Sequence, residues 1–137
     1  MKALKLAIKK RLTDDADYIA LMGTPGAEPF QTYWFKPPVK PTFPETVLNI
    51  SPSNSDQSSD PSFIITESGL SINVWTKDDA YEDIIKRIIQ LLNQKPDTSI
   101  TGFRAILVRE PEDLFDDEFE VYGKNVLFDV HYRRALL

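Results

Sequence analysis

An α+β fold, built from a mainly antiparallel sheet with helices packed on one face, is predicted by three features of the sequence. Residues 78–94 carry the strongest helical stripe. Five or six β-rich runs are linked by short Gly-, Pro- or Ser-containing segments. Helices and strands do not alternate as parallel crossover units require. The order reads α–(α)–β–β–β–β–α–β–(β)–β over residues 1–137, taken as a single domain. At 137 residues such a chain buries roughly two thirds of the surface exposed when unfolded.

Residues 2–12 open with a short amphipathic helix, because Leu4, Ala7, Ile8 and Leu12 recur at spacings of three and four. Lys2, Lys5 and Lys9 take the opposite face, and Leu6 falls among them. Asp14, Asp15 and Asp17 then start a second helical segment with Tyr18, Ile19, Leu21 and Met22, which Gly23 ends. Residues 30–35 have β character. Three prolines in 36–41 remove ladder donors and make an extended loop. Residues 43–50 form the next strand. Residues 51–61, rich in Ser, Asp and Pro, read as a mobile loop with nothing apolar to anchor it. A hairpin follows, 63–66 turning through 67–69 into 70–76. Leu70, Ile72 and Val74 face the core; Ser71, Asn73 and Trp75 face away.

The main helix has an acidic first turn and a stripe of Tyr81, Ile84, Ile85, Ile88, Leu91 and Leu92, and Pro96 stops it. Residues 103–108 make a strand. Residues 110–120 hold seven acidic and no basic residues, leaving 16 basic against 14 acidic elsewhere. This segment is expected to be a third mobile loop, after 36–42 and 51–61. The last strand points Val126, Phe128, Val130 and Tyr132 inward; Leu127, Asp129, His131 and Arg133 point outward.

Composition excludes several chemistries. With no cysteine there is no disulfide, thiolate metal site or cysteine nucleophile, and one histidine, His131, rules out a multi-histidine metal centre. A net charge of −5 argues against a protein that coats nucleic acid. No apolar run spans a membrane, and lysines interrupt the apolar start as they do not in a secretory signal, so a cytosolic chain is expected. No phosphate-binding glycine loop, HExxH or G-x-S-x-G is present. The 110–120 carboxylates lack calcium-loop spacing and read as a solvated acidic loop. No catalytic residue, metal ligand or cofactor is therefore assigned.

The informative residues are those the core does not need. Trp34 and Trp75 each read as a core anchor or an interface anchor, and the phase of Trp75 favours the interface. Lys2, Lys5, Leu6, Lys9, Trp75 and Leu127 are candidates for contact with another subunit or partner. Glu112, Asp113, Asp116, Asp117 and Glu118 are candidates for an acidic partner-facing or lumen-facing segment.

Ser71-Ile-Asn-Val-Trp-Thr-Lys-Asp-Asp79 followed by Ala80-Tyr-Glu-Asp-Ile-Ile-Lys-Arg-Ile-Ile-Gln-Leu-Leu92 resembles the tail terminator (tail completion, tail-to-head joining) proteins of long-tailed double-stranded DNA phages. So do the acidic 112–117 run, Tyr122-Gly123 and the ending from His131 to Arg134, and the resemblance covers nearly the whole chain. It implies a non-catalytic α+β subunit of a ring, usually hexameric, in the neck of a virion assembled in the host cytoplasm. The ring caps the head-proximal end of the tail tube, stops its polymerisation and joins the head connector. DNA passes through without specific binding, which an acidic lumen would favour. A head-closure or other neck adaptor is the alternative, followed by a small metal-dependent hydrolase using the 110–120 carboxylates.

Overall fold

The computed structural model describes residues 2–23, 31–35, 43–51, 55–57, 63–95 and 103–135. The elements are α1 (Lys2–Thr13), α2 (Ala16–Met22), β1 (Thr32–Trp34), β2 (Glu45–Ile50), β3 (Ser55–Gln57), β4 (Phe63–Thr76), α3 (Tyr81–Leu92), β5 (Arg104–Leu107), β6 (Glu112–Asp116) and β7 (Val121–Ala135). The seven strands form one sheet in the order β1-β2-β4-β7-β5, with β3 added to β4 and β6 added to β7. Every pairing is antiparallel except β1 with β2. The predicted α+β class is the observed one.

The sheet is organised by β4 and β7, which pair without interruption from Phe63–Ala135 to Thr76–Tyr122. The alternation read from the sequence holds along both. Leu70, Ile72, Val74, Val126, Phe128 and Val130 are fully buried on one face. The three helices cover that face. Leu4, Ile8 and Leu12 of α1, Tyr18 and Met22 of α2, and Ile84, Ile85, Ile88 and Leu92 of α3 complete one core with the strands. Each such aliphatic side chain contributes roughly 1.5–3 kcal/mol by leaving water.

Asp15 locks the helices to one another. As N-cap of α2 it accepts the Tyr18 backbone N–H at 2.8 Å. The same carboxylate receives Arg87 of α3 in a two-pronged contact, Nε to Oδ2 at 2.8 Å and Nη2 to Oδ1 at 2.6 Å. The Arg87 hydrogen bond holds the Asp15 carboxyl below the usual carboxylate range. Tyr18 in turn shares a 2.7 Å hydrogen bond with Thr32 Oγ1, tying α2 to β1, and burial pushes its phenol up to about 12.

The structure corrects three expectations. The hairpin at 67–69 does not exist, because 63–76 is one continuous strand. Both of its edges are occupied there: Glu67 pairs with Ser55 and with His131, and Gly69 pairs with Asp129. Gly69 serves a close approach, donating its N–H to Ser51 Oγ at 2.9 Å and accepting the Ser51 N–H at 2.8 Å. A Cβ on Gly69 would lie 3.1 Å from that Oγ. Within the expected 51–61 loop, Ser55–Gln57 is a strand on β4, ordered by backbone pairing in place of apolar anchors. The remainder of 51–61, apart from Ser51, lies outside the described residues, as does 36–42. The acidic segment is a strand followed by a tight turn, because Glu112–Asp116 pairs with the first five residues of β7.

Truncating the centre of the helix layer tests this packing. Ile88→Ala, at a fully buried site on α3, is expected to lower the unfolding free energy by about 2–5 kcal/mol. A denaturant titration that superimposes on wild type would refute the assigned core.

Candidate functional site

The helices cover one face, no described element covers the other, and the candidate residues fall into three places. On α1, Leu6 is 60% exposed, opposite the buried stripe of Leu4, Ile8 and Leu12. Lys9 and Lys10 stand three and four residues after it, its neighbours on the helix surface, and the Lys2 side chain lies outside the described residues. Lys5 reaches toward β1: its Nζ lies 4.3 Å from the centre of the Phe35 ring and 5.8 Å from that of Trp34. Phe35 is itself an exposed large hydrophobe. Trp34 packs against the core and its indole Nε1 is buried without a hydrogen-bond partner.

The second place is the sheet face away from the helices. Residues directly opposite on paired strands share a face, so Trp75 stands in a row with Glu45 and Gly123, and Leu127 in a row with Ser71 and Asn49. Four residues of strand, about 13 Å, separate the two rows. Polar side chains fill the gap. Asn125 Nδ2 donates to Ser71 Oγ and to Asn73 Oδ1, each at 2.7 Å, and Arg109 Nη2 donates to Asn125 Oδ1 at 3.2 Å. Leu127 and Trp75 are therefore two half-buried spots on a polar face, and Leu6 lies on the opposite side of the sheet. The six candidate contact residues do not form one patch.

Trp75 is engaged within its own chain. Its ring lies on Gly123, where an added Cβ would meet Trp75 Cε3 at 2.8 Å and the Val74 carbonyl oxygen closer still. Glu45, beside Trp75, is 3% exposed, and its Oε2 has no hydrogen-bond partner. Burial pushes the Glu45 carboxyl up to about 7.

The third place is the acidic segment, β6 and the turn after it. Its charges are partly neutralised internally. Glu112 lies 3.3 Å from Arg109, and Asp113 lies 3.7 Å from Lys124, which also holds Glu82 at 3.0 Å. The Glu82 hydrogen bond is the main cause that raises the Lys124 ammonium above its ordinary value. Asp116 Oδ1 accepts the backbone N–H groups of Glu118 (2.9 Å) and Phe119 (3.2 Å), so it shapes the turn. Asp117 and Glu118 remain exposed. Among the described residues, no three carboxylates or histidines converge as metal ligands would.

Sequence reasoning missed the aromatic residues of this segment. Phe115 is 53% and Tyr122 49% exposed, and their ring centres are 5.1 Å apart. Phe119, also exposed, has its ring centre 6.1 Å from that of Phe43. The available signal was three aromatic residues interleaved with carboxylates, which acidity alone does not require.

No described helix is long and apolar enough to cross a membrane. No family model and no curated protein matches the chain. Among solved structures, a chain from the virion of a native gene transfer agent (GTA) particle is similar in fold. The TM-score is 0.68 at 17% sequence identity, over 96% of this chain and 95% of that chain.

Two predictions follow from the Trp75 row. Between about pH 4.5, the ordinary value, and pH 7 the folded protein keeps the Glu45 proton that the unfolded chain has lost. Stability therefore falls as pH rises through that window and levels off above it. Glu45→Gln should flatten this slope and raise stability at pH 8 by on the order of 1–3 kcal/mol; an unchanged profile in urea titrations from pH 5 to 8 would refute it. Gly123→Ala should cost about 1–3 kcal/mol by overpacking and shift Trp75 fluorescence, read against a Trp34→Phe background.

Proposed function

We propose that this chain is a structural subunit of a phage-like virion, a tail terminator that forms a ring on the head-proximal end of the tail tube. The observation that carries the reading is the end-to-end likeness of fold to a chain of the gene transfer agent virion. The sequence phrases around the Trp75 strand, the main helix and the last strand support the finer assignment. In this role the ring, six subunits in the usual arrangement, stops tube polymerisation and seats the head connector, and DNA passes through without base-specific contacts. The protein acts by assembly and catalyses nothing. It belongs in the neck of the virion.

A subunit of a ring needs two complementary surfaces and a separate surface for the tube. Three separated candidate places suit that demand. Lys2, Lys5, Leu6 and Lys9 supply a basic apolar surface; Trp75 and Leu127 lie on the sheet face away from the helices; Glu112, Asp113, Asp116, Asp117 and Glu118 face a partner or the lumen. A head-closure or neck adaptor shares these features and differs in its partner, the portal side in place of the tube.

Size-exclusion chromatography with light scattering, with and without purified tail tube protein, tests the reading. A ring, alone or on the tube end, is the expected result, and Trp75→Ala or Lys5→Glu/Lys9→Glu should weaken assembly or tube capping. A wild-type chain that stays monomeric even with tail tubes would overturn the terminator assignment. Binding to a portal-side protein and not to the tube would select the adaptor.

A further inference from the structure

The geometry points to a specific subunit contact: the Phe115–Tyr122 edge of one copy receives the Leu6–Phe35 edge of a second copy of the same chain. This rests on the ring reading above and names the surfaces that build it.

Both edges carry exposed apolar groups that their own chain leaves in water. Leu6 and Phe35 are 60% and 47% exposed, and Phe115 and Tyr122 are 53% and 49% exposed. Their charged surroundings are opposite. Leu6 has Lys9 and Lys10 three and four residues after it on α1, whereas Phe115 lies in a strand and turn with six carboxylates between 112 and 120. Lys9 and Lys10 set on Asp117, Glu118 and Glu120 place an apolar centre beside opposite charges, as stable contacts do.

The sheet order decides that these edges meet between copies. Leu6 stands next to Lys5, which contacts Phe35 just beyond β1, and Phe115 belongs to β6. From β1 to β6 the path runs through β2, β4 and β7. Four inter-strand steps separate the two edges by about 19 Å, so they cannot close on each other within one subunit. Phe115 and Tyr122 share the sheet face of the buried Thr76 and Val74, the face that carries the helices. Lys5 of α1 reaches Phe35 beside β1, and Phe115 and Tyr122 stand on β6 and β7, so both patches lie on the helix side of the sheet and a neighbouring copy can bridge them.

A two-fold contact using one patch twice would set lysines against lysines or carboxylates against carboxylates. The complementary pairing is head-to-tail, and repetition of it gives a ring when the rotation closes. Direct strand addition at β5 is disfavoured, because that edge is already closed: Gln94 N–H donates to the Ala105 carbonyl at 2.7 Å, and the Leu107 N–H donates to Asn93 Oδ1 at 3.0 Å.

The absence of cysteine in the sequence gives a clean test. Under mild oxidation the full-length Leu6→Cys/Phe115→Cys variant should form a ladder of disulfide-linked oligomers. Each single-cysteine variant should give no more than a trace of dimer, and a 1:1 mixture of the two should give a linked dimer. In parallel, Leu6→Asp and Phe115→Asp should each lose the wild-type oligomer by light scattering while keeping the wild-type melting temperature. Their 1:1 mixture should recover a dimer, because each retains the patch the other lacks. A wild-type ring with no ladder, or with both Asp variants assembling normally, overturns this contact and leaves the ring reading standing. Efficient linking of either single-cysteine variant to itself overturns the head-to-tail arrangement. A chain that stays monomeric with tail tubes and gives no ladder overturns both.

Discussion

The unbroken antiparallel ladder between β4 and β7 is the constraint on which the rest of the structure depends. Each of its rungs fixes which side chains share a face. A slip of one residue would turn Leu70, Ile72 and Val74 out into water and bury Ser71, Asn73 and Trp75. The alternation on both strands makes that slip costly, so the register is set by burial. All the other strands attach to one or other edge of this ribbon, apart from β1, which adds to β2. The helices need only the apolar face that the ladder creates.

The helix layer depends on fewer and more specific contacts. Asp15 performs two tasks with one carboxylate, capping α2 and receiving Arg87 of α3. Charge-assisted, two-pronged bonds of this kind fix orientation as well as distance. Tyr18 then carries the constraint from α2 to β1 through Thr32. Arg11 ties the far end of α1 to the α3 terminus by donating to the Lys95 carbonyl at 3.0 Å. Three short helices are thus held as one sheet-covering layer.

Among the described residues the helix layer covers one face of the sheet only. The other face is largely polar, with an Asn125-centred network and a tryptophan lying flat on a glycine. Exposed apolar side chains remain on α1 and just beyond β1, near lysines, and on β6 and β7, among carboxylates. A monomer with no partner gains nothing from such patches, whereas a subunit repeated around an axis uses both. On the face away from the helices the Glu45 carboxyl is buried beside Trp75 with one oxygen unsatisfied, a costly arrangement.

The sequence by itself determined the fold class, the helix stripe of Ile84, Ile85, Ile88 and Leu92, and the inward and outward faces of β4 and β7. These follow from periods of 3.6 and 2, which are local properties of the chain. It also marked Leu6 as surplus to the core, by its place among lysines. Only the tertiary structure decided that Gly69 continues a strand, since a glycine reads as a turn until a serine is seen docked on it. Likewise Ser55–Gln57 and Glu112–Asp116 lack strand composition and are strands because long neighbours offer them unpaired backbone. The pairing of Phe115 with Tyr122 and its distance from Leu6 arise from strand order, which no local pattern encodes.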